Sequence, residues 1–275
     1  PGSVASIGEE AFSYCTNLSA VSIADGVKNI GERSFRDCSG LLSVVIPNSV
    51  TNIGEWAFDS CINLTHITIG TGVKNLGAGT FNGCSGLPYV GIPNSVTNIG
   101  EWAFESCTNL TQIIIGKGVK NIGAFAFKDC AKLVQVDIPI GVESIGDQAF
   151  SSTGLTNVNV PASVEYVGPG CFARAPLQNA SLPQQLLASV GSIGLPAQLA
   201  TELLAGGLED LGFINANSLG LVVSKTIAQV QANPNNYNLF SASQHAAAYA
   251  NGLAAGASSA GGKAKAKAKG KGKKR

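Results

Sequence analysis

The stretch Ile46-Pro47-Asn48-Ser49-Val50-Thr51-Asn52-Ile53-Gly54-Glu55-Trp56-Ala57-Phe58-Asp59-Ser60-Cys61-Ile62-Asn63-Leu64 returns almost verbatim at residues 92–110. Its phenylalanine belongs to a wider rhythm. Phenylalanine stands every 23 residues, at Phe12, Phe35, Phe58, Phe81, Phe104, Phe127 and Phe150, and then at Phe172, one residue early. A fixed period of this length marks a stacked-repeat protein, whose units are too small to bury an apolar face alone.

Aligned on that phenylalanine, the chain resolves into columns. Five residues earlier stands Ile7, Ile30, Ile53, Leu76, Ile99, Ile122, Ile145 or Val167, each followed by glycine. Three residues later comes Cys15, Cys38, Cys61, Cys84, Cys107 or Cys130, and three further on a leucine, from Leu18 to Leu133. Alternating pairs follow, such as Val21/Ile23, Val44/Ile46 and Ile67/Ile69. This period-two, β-branched end predicts one short strand per unit. Turn residues such as Pro47-Asn48-Ser49 and Gly70-Thr71-Gly72 end it. A second apolar pair, Val50 and Ile53, re-enters the core, and Glu55–Phe58 is expected to form a short helical turn on the opposite side. The strands would stack in parallel about 4.8 Å apart, so eight units make a solenoid on the order of 40 Å long.

Each column has a physical reading. The glycine permits a tight turn where a Cβ would clash. The phenylalanines form an internal ladder. The cysteines form a column of buried free thiols, because parallel side-chain vectors are poor disulfide geometry. The seven cysteines show no CxxC pair and no Cys/His cluster, so no metal site and no cofactor is expected.

The pattern carried by Ile46 to Leu64 resembles the BspA-like leucine-rich repeat family, over about residues 3–186. The resemblance implies an α/β-type solenoid of bacterial type. Later units depart from the pattern: Thr153 replaces the cysteine and Ala180 breaks the strand alternation. That decay fits the terminal cap a repeat array needs.

Charge divides the chain. Lys263, Lys265, Lys267, Lys269, Lys271, Lys273, Lys274 and Arg275 give the last thirteen residues a charge of +8. The other 262 residues hold ten basic and seventeen acidic side chains, a net −7. Three parts follow: the repeat solenoid over 1–186, a mostly helical linker region over 187–256, and a disordered basic tail over 257–275. Helical spacing is read at 195–211, with Pro196 in the first turn, at about 218–231, and at 241–255. The chain begins at Pro1 without methionine and reads as a fragment or processed form. No apolar run approaches the roughly 18 residues of a membrane span.

Between the inward strand residues lie two outward rows that should line one continuous face. One runs Ala20, Ser43, His66, Tyr89, Gln112, Gln135, Asn157, Asn179, and the other Ser22, Val45, Thr68, Gly91, Ile114, Asp137, Asn159, Ser181. The partner-binding candidates are Val45, His66, Thr68, Tyr89, Gln112, Ile114, Gln135 and Asp137. They are read either as an amphipathic patch for a protein or glycan or as ordinary surface variation. Catalysis finds no motif: no P-loop, no dinucleotide fingerprint, no HExxH. Trp56 and Trp102 are read as binding anchors or as duplicated, partly packed residues. Asn17, Asn63, Asn109 and Asn179 sit in glycosylation sequons, three of them in one repeated column.

The resemblance implies a non-enzymatic, cell-surface or secreted, adhesin-like recognition protein. The tail would then hold an anionic polymer, whether nucleic acid, polysaccharide or membrane surface, by salt-sensitive attraction, or would serve only to solubilise or target the chain. The alternative is an intracellular scaffold tethered to nucleic acid by that tail, with which unpaired thiols are compatible.

Overall fold

The computed structural model describes residues 4–209. The expected helices over 218–231 and 241–255, the tail from 257 and the polyanion-binding candidates Lys263 to Arg275 lie outside the described residues.

The repeats stack as a parallel solenoid. The expected three-residue strand occurs in seven units, as in Ser43–Val45 and His66–Thr68. Its outer residues are exposed and its middle one turns inward, as period-two geometry demands. Register is strict: Ser43 lies beside His66, Val44 beside Ile67 and Val45 beside Thr68. The structure adds a second, two-residue parallel ladder where the apolar pair re-enters the core, from Ser6–Ile7 through Asn29–Ile30 to Asn52–Ile53 and again from Asn75–Leu76 onward.

The third flank differs from the helical turn expected at Glu55–Phe58. It is a chain of tandem turns. The N–H groups of Trp56, Phe58 and Ser60 donate to Ala78, Thr80 and Asn82 of the next unit at 2.8–2.9 Å, while Asp59 and Cys61 bond three residues back within their own. Sending alternate N–H groups outward is incompatible with a helix, which directs every one along its own axis. The geometry requires left-handed residues on either side of the phenylalanine, here Trp56 and Ser60, both at φ +57°. Every unit repeats this pair, with glycine supplying it only at Gly79, Gly83 and Gly170. This flank thus bonds every unit to the next, whereas the two strand ladders bond in blocks.

Inside, the phenylalanines form the expected ladder. Successive rings stack with centroids 5.1–6.0 Å apart, and Phe35 to Phe172 are fully buried. The glycine after most of the branched residues answers to packing: a Cβ on Gly54 would lie 2.4 Å from the backbone nitrogen of Glu32, and one on Gly100 would lie 2.6 Å from the carbonyl of Gly77, whereas one on Gly77 would stand 3.4 Å from Glu55. At the C-terminal end, Phe172 N–H donates to Ile193 O at 2.8 Å, so residues 192–193 stand in for a further unit. A 3-10 helix, Gln184–Ser189, and the α-helix Ala197–Glu209, begun directly after Pro196, lay Leu186 and Leu199 over the end of the core, with Ile193 of the turn between them.

Candidate functional site

The strand face carries the sequence-predicted residues, and all eight are exposed. Val45, His66 and Thr68 share one hydrogen-bonded block, Ala20–Ser22 to His66–Thr68. Tyr89, Gln112 and Ile114 share the next, Tyr89–Gly91 with Gln112–Ile114. Gln135 and Asp137 lie on a segment that forms no strand. The face is therefore interrupted twice, where the repeat pattern predicts continuity.

At the first break one donor is missing for a covalent reason, and the two-residue ladder stops at the same junction, between Asn52–Ile53 and Asn75–Leu76. Thr65 donates to Leu42 O and Thr111 to Pro88 O, each at 2.9 Å, but the residue between them in that column is Pro88, which has no N–H to give. The ladder stops between His66–Thr68 and Tyr89–Gly91. The second break falls at 134–138. From Phe127 to Gln135 the connection is eight residues, as in the units before it; from Phe150 to Asn157 it is seven. Segment 134–138 lies between a full-length and a shortened unit. Its only ladder bond is Thr156 N–H to Val134 O, at 3.5 Å. The corner beside it opens as well. A Cβ on Gly118 would lie 2.0 Å from Asn94 O, whereas one on Gly141 would stand 3.3 Å from Lys117 O.

Two adjoining cavities mark this opening. One of about 290 Å³ lies among Gln112, Ile114, Val134, Gln135 and Asp137. The other, of about 400 Å³, lies among Ile115, Lys117, Asp137, Ile138 and Ile140. Val134 and Ile140 were not singled out by sequence, yet Ile140 is 89 % exposed. The available signal was its column, which holds Asn48, Thr71, Asn94 and Lys117 in the preceding units. The asparagines there serve the fold: Asn48 Oδ1 accepts from Thr71 N–H and Asn94 Oδ1 from Lys117 N–H. Isoleucine cannot repeat this.

The electrostatics are plain. Along the two outward rows, Asp137 is the one residue among Asp, Glu, Lys and Arg. His66 Nδ1 lies 2.9 Å from Thr65 Oγ1. Tyr89 lies along its own strand, so that a Cβ on Gly91 would stand 3.1 Å from its hydroxyl. Most ion pairs lie on the tandem-turn flank, as in Arg36 with Asp59 at 3.1 Å and Lys128 with Glu105 at 2.8 Å. Burial pushes the Asp59 carboxyl up, and Arg36 only partly offsets this.

The tryptophans also sit on that flank. Trp56 and Trp102 stack on each other at 5.9 Å, and Trp102 on Phe125 at 5.9 Å. Their faces cover one another, and each ring is half-buried. This favours the packed reading over free anchors. The sequon amides take part in the stack too: Asn63 Nδ2 donates to Ser39 O and Asn179 Nδ2 to Asn157 Oδ1. No group of side chains among the described residues has metal-binding arrangement, and no helix among them is long and apolar enough to cross a membrane.

Comparison with known proteins agrees with this architecture. The model of the BspA type leucine-rich repeat region matches six copies over residues 5–123 and 76–193. A leucine-rich cell surface protein of Faecalibacterium prausnitzii is 32 % identical with a TM-score of 0.53, over 64 % of this chain and 47 % of that one. The chain thus spans less than half the length of that protein. The leucine-rich repeat protein of T. pallidum is likewise 32 % identical with a TM-score of 0.53, over 64 % of this chain and 84 % of that one. No curated protein matches. With its 23-residue period, its stacked parallel strands and these matches, the chain belongs to the BspA-type leucine-rich repeat family.

Proposed function

We propose that this chain is a non-enzymatic recognition protein that works at a bacterial cell surface or outside the cell, in the manner of an adhesin. Its strand face binds a partner protein or glycan through Val45, His66, Thr68, Tyr89, Gln112, Ile114, Gln135 and Asp137. The observation that carries this reading is the exposure of large apolar side chains on an almost uncharged face: Val45 at 60 %, Tyr89 at 43 % and Ile114 at 53 %. Apolar surface flanked by polar neighbours is where partners dock. The cell-surface description of the F. prausnitzii protein supports the location. The basic tail, Lys263 to Arg275, adds attraction to an anionic polymer.

The test compares the full chain, a chain lacking 263–275 and the double variant Tyr89→Ala/Ile114→Ala in capture from mixed bacterial and host extract. Capture that survives high salt and tail deletion, and is lost in the double variant, is the expected result. Capture unchanged by the double variant removes the patch.

A second reading rests on the free thiols, one in nearly every unit, which suit a reducing compartment. In it the chain is an intracellular scaffold held on nucleic acid by the tail. DNA binding lost on deletion of 263–275 supports it, and DNA binding that survives the deletion ends it.

A further inference from the structure

The second break in the strand ladder has the properties of a peptide groove. Across the preceding pair, Ile92 N–H donates to Ile114 O at 2.8 Å and Thr111 N–H to Pro88 O at 2.9 Å. The equivalents one unit on, from Ile115 N–H to Asp137 O and from Val134 N–H to Thr111 O, are missing. Two facing edges therefore carry unpaired main-chain donors and acceptors, while the tandem-turn flank of the same units is bonded through. Exposed strand edges of this kind recruit extended chains.

The rim is apolar. Ile114, Val134 and Ile140 are 53 %, 54 % and 89 % exposed. Asp137 lines both cavities, while Lys117 lines only the second. A full extra strand does not fit. It would hold the two rungs about 9.6 Å apart, twice the strand spacing, whereas at the corner a Cβ on Gly141 would already stand 3.3 Å from Lys117 O. The occupant lies in the mouth of the groove.

We propose that this groove seats an extended segment of a partner polypeptide, bonded by its main chain to the unpaired edges, with apolar side chains against Ile114, Val134 and Ile140 and a Lys or Arg against Asp137. This rests on the strand face being the recognition surface and names the partner's chemistry. The unpaired peptide groups select a polypeptide over a glycan, because only a polypeptide offers donors and acceptors at strand spacing. The lone carboxylate on an otherwise uncharged face selects a cation.

The experiment pans a displayed library of random peptides against the full chain and maps the selected peptides by amide exchange. Peptides alternating Lys or Arg with β-branched or aromatic residues are expected, slowing exchange at Ile115, Gln135 and Asp137. Their binding should fall roughly tenfold or more in Asp137→Lys, with Asp137→Asn intermediate, and should be lost when alternate peptide amides are N-methylated. Asp137 is exposed, and a circular dichroism spectrum shows that its variants fold. Binding indifferent to N-methylation overturns the extended seating. Peptides that protect only Val45–Tyr89 overturn the groove and leave the strand face standing. Failure to select any peptide that protects a strand residue overturns the groove and counts against the strand face as a protein-binding surface.

Discussion

The thiol of Cys84 donates to the carbonyl oxygen of Phe58, 26 residues earlier, at 3.2 Å. Cys38, Cys61, Cys107 and Cys130 make the same bond to Phe12, Phe35, Phe81 and Phe104 at 3.0–3.3 Å. The cysteine column thus pins each unit to the one before while staying apolar enough for the core. Cys84→Ala removes the donor and leaves a small void. It should cost about 1–3 kcal/mol, measured by urea denaturation.

Alkaline pH should weaken the fold through the same thiols. Burial pushes Cys38 from the ordinary 9.0 up to about 12, and also raises Cys84 and Cys171. The folded state therefore holds these protons more tightly than the unfolded chain. The stability they give is complete below pH 9 and is lost as pH rises towards their folded values. Each thiol that stays protonated only in the folded state should remove about 1.4 kcal/mol per pH unit above 9. Tm measured at pH 8 and pH 10 checks this, and a Tm that holds constant refutes it.

Phe81 stacks on Phe58 and Phe104 at 5.4 Å and is fully buried. Phe81→Ala opens a cavity in the middle of the ladder, between neighbours held in place by the tandem-turn bonds. The expected loss is about 3–5 kcal/mol. The same change at Phe12, 40 % exposed at the open end, should cost clearly less.

Gly79 stands between the two tryptophans in its column, at φ +58°, and a Cβ there would meet the Trp56 indole at 2.1 Å. Its missing side chain is what lets Trp56 reach Trp102 two units away. Gly79→Ala should cost about 1–3 kcal/mol from backbone strain and overpacking. It should also abolish the circular dichroism signal of the coupled indoles, a readout that general destabilisation below the transition would leave intact.

Pro88→Thr tests the first break. Threonine occupies the same column at Thr65 and Thr111, where both the backbone N–H and the hydroxyl reach the previous unit. The new N–H contributes about 0.5–1.5 kcal/mol, and losing proline's restriction of the unfolded chain offsets about 0.4–1 kcal/mol of it. The net change in stability is expected below about 1 kcal/mol, while amide exchange at 66–68 and 89–91 slows. Unchanged exchange means the gap has another cause.

The stack was legible in the sequence because each column is a one-dimensional constraint. A residue that recurs every 23 positions meets its own copy, so Phe58 announces its contact with Phe81 without any knowledge of the path between them. Glycine after Ile53, the buried thiols and the outward row through His66 and Tyr89 follow from the same rule. The cap helix was legible too, from Pro196 and the apolar spacing behind it.

Local propensity misjudged the flank at Glu55–Phe58, because a helical turn and a chain of tandem turns begin with the same i to i−3 bonds. Only the neighbouring carbonyls of Ala78 and Thr80 decide between them. The two breaks in the strand face likewise belong to the tertiary structure. Pro88 and the shortened connection before Asn157 are visible as letters, but their effect is a hydrogen bond that fails to form between units. Periodicity fixes what repeats. The exceptions, and with them the groove beside Asp137, are settled by how each unit seats on the next.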